Sequence, residues 1–140
     1  MTVKYADVEK GTELPARSCR VTRLDLVKYA GASGDFNVIH WSERAARAVG
    51  LPGVIAHGMF TMAQVGRFVG EWAGDPGAVT DLGVRFSAMV PVPDDDQGAT
   101  IELSGKVLEK LGDGKVSVDV VARVGGAKVL TRARAVVRLP

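Results

Sequence analysis

The sequence predicts an α+β fold in which a long antiparallel sheet wraps around one apolar helix. Three observations carry that prediction. Residues 101–139 alternate apolar and polar side chains with period two. Residues 58–72 are apolar around most of a helical circumference. A length of 140 residues, 46% hydrophobic and 24% charged, supports one domain with a sizeable core rather than two. Residues 1–140 are therefore read as a single domain.

Taken in order, the first element is a helix. Thr22 is its N-cap and Asp25 its capping-box partner, with Leu24, Leu26, Val27 and Ala30 along it and a stop near Gly31 or Gly34. Ser42 caps a second short helix through Ala45, Ala46 and Val49, closed by Gly50 and Pro52. The long helix spans 58–72. Met59, Met62, Val65, Val69 and Trp72 form its main stripe, Phe60, Ala63 and Phe68 widen it, and Gln64, Arg67 and Glu71 leave only a narrow polar strip. That pattern predicts a buried helix covered by sheet on several sides. Gly66 and Gly70 each lower helix propensity by roughly 1 kcal/mol, so something should pack closely against them.

Strands follow. Residues 79–90 predict one, with Val84 and Phe86 on the same face. The prolines, aspartates and glycine of 91–98 predict a loop between strands. Ile101, Leu103, Gly105 and Val107 face one way, as do Val116, Val118 and Val120. Val129, Thr131, Ala133, Ala135, Val137 and Leu139 oppose Lys128, Arg132, Arg134 and Arg138. Gly112-Asp113-Gly114 and Gly125-Gly126 supply hairpin turns.

Composition excludes several classes of function. A net charge of +2 gives no global basic field, so no nucleic-acid partner is expected. The basic face of Arg132, Arg134 and Arg138 is read as a solvated outer sheet face, the alternative being a contact for phosphates or an acidic carrier protein. One cysteine, Cys19, rules out an internal disulfide and suits a reducing compartment. With only His40 and His57 beside it, no closed zinc cage can form, and no metal is expected. Lys4, Asp7, Glu9, Lys10 and Glu13 break up any signal-like start, and residues 58–72 are too short and too polar to span a membrane. The expectation is a soluble, cytoplasmic protein.

The densest reactive cluster lies in residues 29–40, where Asp35, Asn37 and His40 stand among small residues. Asp35 and His40 are five apart, about 500° around a regular helix, so they would not share a helical face. In a turn after Gly34 they can converge. The competing reading makes Asp35 a turn cap and His40 a satisfied, partly buried histidine. A second feature is His57-Gly58 at the start of the long helix. The first N–H groups of a helix lack internal partners and sit at the positive end of its dipole, where an anionic oxygen can be held. Alternatively Gly58 relieves crowding where the helix enters the sheet.

The string from Tyr29 to His40 resembles the hydratase signature of the MaoC-like family, roughly Y-x-x-x-S-G-D-x-N-P-[hydrophobic]-H. Asp35, Asn37 and His40 match, and Val38 stands where proline is usual. The similarity continues through Ala56-His57-Gly58-Met59, residues 74–79, Val84-Arg85-Phe86 and Val90-Pro91-Val92-Pro93. Together these resemble the catalytic B subunits of actinobacterial (3R)-hydroxyacyl-[acyl-carrier-protein] dehydratases over essentially the whole chain. The resemblance implies a hot-dog fold, Asp35 and His40 as catalytic residues, and the Gly58 N–H as the thioester-binding donor. It implies reversible dehydration of a (3R)-3-hydroxyacyl thioester, carried by acyl-carrier protein or coenzyme A, to the trans-2-enoyl thioester, without a cofactor. His40 takes the Cα proton, and Asp35 positions the departing water. Asn37 and His57 complete the candidate substrate-binding set, although Asn37 also suits a turn brace and His57 a residue of the helix start. Asp35→Asn and His40→Ala are both expected to abolish turnover with little change in melting temperature. The alternatives are a thioester hydrolase and a noncatalytic acyl-binding subunit. A homodimer, or a heterodimer with a noncatalytic hot-dog subunit, is expected.

Overall fold

The computed structural model describes residues 2–140. Strand β1 (Glu13–Val21) leads into helix α1 (Arg23–Ser33) and helix α2 (Glu43–Ala48), then the long helix α3 (Gly58–Ala73). Strands β2 (Val79–Phe86), β3 (Ala99–Gly112), β4 (Lys115–Val124), β5 (Ala127–Lys128) and β6 (Leu130–Arg138) follow. The main sheet runs β1-β3-β4-β6-β2 with every pairing antiparallel, and β5 adds a short pairing to β4.

Local chemistry explains the helix limits. The Thr22 side chain accepts from the Asp25 N–H while the Asp25 carboxylate accepts from the Thr22 N–H, a complete capping box. Gly34 closes α1 with φ 76°, a left-handed conformation that glycine adopts without steric cost. Ser42 caps α2 by accepting from the Ala45 N–H.

The sheet packs one face on α3. Val65 and Val69 are fully buried against a wall that includes Ile101, Val107, Val118 and Val137. Burying each such side chain contributes about 1.5–3 kcal/mol. A Cβ on Gly105 would lie 3.3 Å from the Phe68 ring and 3.1 Å from the Asp119 carbonyl oxygen, so glycine leaves the room in which that ring lies over the sheet. The two helix glycines also meet close neighbours, Gly66 the Leu82 side chain and Gly70 the Cα of Pro76.

Four expectations need correction. Strand β1 has no counterpart in the sequence reading, because Pro15 and a register shift between Leu14 and Arg17 break its alternation. The strand expected over 79–90 ends at Phe86, after which the chain leaves the sheet. At β6 the alternation slips: Leu130 is buried, Thr131 is only partly so, and Arg132 takes φ 49° beside a register shift between β2 and β6. Finally, the sheet meets α3 from several strands but does not close around it, and the face carrying Met59, Ala63, Arg67 and Glu71 stays open. Met59 is 55% exposed and Ala63 is exposed, while Met62 and Trp72 are only partly buried. Among the described residues no helix is long and apolar enough to cross a membrane. A curved antiparallel sheet folded around one central helix is the hot-dog arrangement.

Candidate active site

The site is built on the turn between α1 and α2. After Gly34, the Asp35 carboxylate accepts from the Asn37 N–H at 3.1 Å, and the Asn37 side chain accepts from the Ile39 N–H at 3.3 Å. The His40 N–H returns to the Asn37 carbonyl and the Trp41 N–H to that of Val38, forming a single 3-10 turn over Val38–His40. These bonds hold the path without a proline at position 38. Asn37 spends its side-chain oxygen on the turn, and it is not among the residues that line the neighbouring cleft.

His40 is turned inward, 8% exposed, with Nδ1 2.8 Å from the Ile55 carbonyl oxygen. A carbonyl oxygen can only accept, so Nδ1 carries the proton of this bond. In the neutral ring Nε2 then keeps its lone pair, the form a general base requires. The Ile55 N–H in turn donates to the Ile39 carbonyl, tying the two segments together from both sides.

His57 is more deeply buried, 1% exposed. Its Nε2 lies 3.1 Å from the Asp35 carbonyl oxygen, so it is the Nε2 tautomer that bonds there. Its ring stacks on His40 with centroids 3.8 Å apart and planes 25° from parallel, and Tyr29 lies 4.7 Å away at a tilt. Burial pushes the His57 pKa below the ordinary imidazole value; the bond to the Asp35 carbonyl works against this, and the neighbouring His40 adds to it. His57 occupies the N-cap position of α3, but its side chain makes no capping bond there and does not line the cleft.

One donor atom each from exposed Asp35, His40 and His57 lies within 4.8 Å of the others. The geometry suits a shared proton or water better than a metal ion. Stacked imidazoles aim their lone pairs along nearly parallel planes, whereas ligands of one ion must converge on a point.

A cleft of about 350 Å³ opens beside His40, lined also by Gly58, Thr61, Phe86, Met89 and Leu130. The chain leaving β2 forms one wall. The Ala56 N–H donates to the Val90 carbonyl and the Val92 N–H to that of Val54, so residues 87–92 run along the segment that precedes α3. Among the described residues the Gly58 and Met59 N–H groups meet no acceptor, as the first turn of a helix leaves them. A Cβ on Gly58 would lie 3.0 Å from the Phe86 ring, so the bare position also accommodates that ring.

The structure therefore brings Asp35, His40 and His57 together and joins His40 to Gly58 through one cleft. Sequence reasoning missed Thr61, which is buried in the cleft wall one turn after Gly58. It also missed the Glu43 clamp. The Glu43 carboxylate accepts from Arg23 at 2.7 Å, from Arg47 at 3.0 Å and from the Val54 N–H at 3.3 Å, and Arg23 also donates to the Val92 carbonyl. The Arg23 bond, the Val54 N–H and Arg47 together hold the Glu43 pKa below its ordinary value. Arg47 at i,i+4 was the one part of this clamp visible in spacing.

Comparison with known proteins adds findings of two kinds, from sequence and from structure. A family model described as a MaoC like domain matches residues 7–125. The chain is 43% identical over 79 residues, 56% of its length, to 3-hydroxyacyl-thioester dehydratase X of Mycobacterium tuberculosis, and this match spans only 27% of that protein. In structure it superposes on a MaoC-like dehydratase with TM-score 0.93 and 45% identity, covering 99% of this chain and 43% of the other. It also superposes on the R-hydratase PhaJ1 of Pseudomonas aeruginosa with TM-score 0.86 and 25% identity, covering 99% and 86% respectively.

Proposed function

The chain belongs to the MaoC-like domain family, and on that footing we propose that residues 1–140 form a single hot-dog domain that dehydrates (3R)-3-hydroxyacyl thioesters reversibly. The observation that carries this reading is the His40 tautomer. With Nδ1–H committed to Ile55, Nε2 is a base, a carboxylate stands close by, and Gly58, whose N–H opens α3 unpaired, lines the same cleft.

Dehydration has two difficulties, a weakly acidic Cα–H and a poor leaving group. In this reading the thioester oxygen rests on the Gly58 N–H, where enolate-like charge is stabilised; one such donor is worth about 3 kcal/mol. His40 Nε2 removes the Cα proton, the electron pair forms the C2–C3 double bond, and the C3–O bond breaks. The departing oxygen receives a proton from the Asp35–His40 pair and leaves as water. In hydration the pair holds one water and the steps reverse. Asp35 and His40 are the catalytic residues, and Gly58 binds substrate. Asn37 braces the turn that carries them. The substrate is an acyl thioester of acyl-carrier protein or coenzyme A, consumed in fatty-acid metabolism in the cytoplasm.

A partner hot-dog subunit, either a second copy or a noncatalytic sister, completes the site. Met59, Phe86 and Met89 are at least half exposed around the cleft, and β2 leaves one sheet edge unpaired. Such a patch beside an open edge is characteristic of an interface.

The test is incubation of the purified protein with a crotonyl thioester. Loss of enoyl absorbance without free thiol supports hydration. Release of thiol supports hydrolysis instead, and no change in either overturns the enzymatic reading.

A further inference from the structure

His57 is the one buried polar side chain among the described residues with an orphan atom: its Nδ1 meets no partner. Buried polar atoms are nearly always satisfied, so an exception calls for a reason. Packing alone does not supply one. A phenylalanine would fill the space between Tyr29 and His40 without burying a bare nitrogen, and a glutamine could reach the Asp35 carbonyl without a ring. Histidine is the residue that does both, giving a flat face to His40 and an N–H to Asp35.

The charge state follows from the surroundings. The titratable groups facing His57 are Tyr29 from α1, Asp35 from the loop after it, and His40 from the 3-10 turn. Only the main-chain oxygen of Asp35 bonds to the ring, and Nε2 already serves it. A proton added at Nδ1 would be a buried donor with no acceptor, placed against a second imidazole. The depressed pKa of His57 points the same way.

We propose that His57 is a positioning residue, a neutral Nε2–H imidazole that anchors the Asp35 main chain and sets the plane of the His40 ring. Asp35 and His40 sit on opposite limbs of one short turn, and His57, reaching in from the start of α3, touches both. It therefore fixes their mutual placement, and it refers that placement to the helix whose first residue, Gly58, lines the cleft. This inference rests on the dehydratase reading for its catalytic consequence, while its structural content stands apart.

The chain has only two histidines, so a nitrogen-15 spectrum of the imidazole rings reports on both without crowding. The expected spectrum of the unaltered protein at neutral pH shows His57 as the Nε2–H tautomer and His40 as the Nδ1–H tautomer, with His57 staying neutral at pH values that protonate a free imidazole. The catalytic consequence is read from two variants. His57→Phe keeps the face and loses the donor, and His57→Gln keeps a donor and loses the face. Each lowers kcat for crotonyl-thioester hydration by about 10- to 100-fold with KM moved less than about threefold, the scale expected when reacting groups are misplaced.

A protonated or Nδ1–H His57 in the unaltered protein overturns the proposal, and this holds even if neither variant folds. Well-folded variants with kcat within about twofold of the parent also overturn it, since misplacement costs far more. If the unaltered protein shows no turnover, the dehydratase reading falls instead, and the spectrum still decides the state of His57.

Discussion

Asp35→Asn and His40→Ala, compared side by side, separate chemistry from folding. Asp35 is exposed, and its one side-chain bond accepts the Asn37 N–H, which an asparagine oxygen accepts equally well. The melting temperature of Asp35→Asn should stay within about 2 °C of the parent, as for most surface substitutions. His40 differs. Its Nδ1–H is the only side-chain donor to the Ile55 carbonyl among the described residues, so alanine strands a buried acceptor at a cost of about 1–3 kcal/mol. Losing the stack on His57 adds about 0.5–1.5 kcal/mol. The sum, about 1.5–4.5 kcal/mol, lowers the melting temperature of a chain this size by about 5–18 °C. The sequence-based expectation that both variants melt like the parent is thus revised for His40. Both should lose about 10²–10⁴-fold in turnover, the usual contribution of a positioned acid or base. Calorimetry and crotonyl-thioester hydration, run on the same preparations, give both readings. An Asp35→Asn protein with turnover near that of the parent refutes the shared-proton mechanism. A His40→Ala protein that melts with the parent refutes the assigned Ile55 bond.

Other outcomes follow from the same geometry. Gly70→Val drives a side chain into the backbone of Pro76, whose Cα would lie 3.1 Å from a Cβ at position 70, and should cost about 2–3 kcal/mol in urea unfolding. His57 has a folded pKa below the unfolded value of 6.5, so the unfolded chain binds more protons between the two values. Its contribution to stability is complete above 6.5 and declines as pH falls through that window; melts across pH should show this slope in the parent and not in His57→Gln. Met59→Glu places a charge on the open face of α3 and should yield a monomer by light scattering, with little change in the monomer's own fold and reduced turnover. A parent that is itself monomeric refutes the interface.

What could be read from the sequence was what is local. The capping box at Thr22 and Asp25, the left-handed stop at Gly34 and the alternation of β3 and β4 depend on residues within a few positions of one another. Asp35 and His40 were legible because they lie on one turn with recognisable chemistry. The partners that give them meaning were not. Ile55 is 15 residues from His40, and Asp35 is 22 from His57, with no spacing rule linking either pair. The Glu43 clamp reaches Arg23 across 20 residues. Strand β1 was hidden because an edge strand tolerates a proline and a bulge that erase its period. Met59 was misplaced because an apolar helix face looks the same whether its own sheet or another subunit covers it.

Both oxygens that dictate the histidine tautomers, those of Ile55 and Asp35, belong to the main chain. No side-chain replacement at either position can delete them, because every amino acid carries the same carbonyl. The proton placement on these rings is therefore insulated from ordinary point mutation and is inherited with the path of the backbone. A laboratory search that shuffles the cleft lining can explore new acyl groups while leaving that arrangement untouched, so long as the loops entering the central helix keep their course.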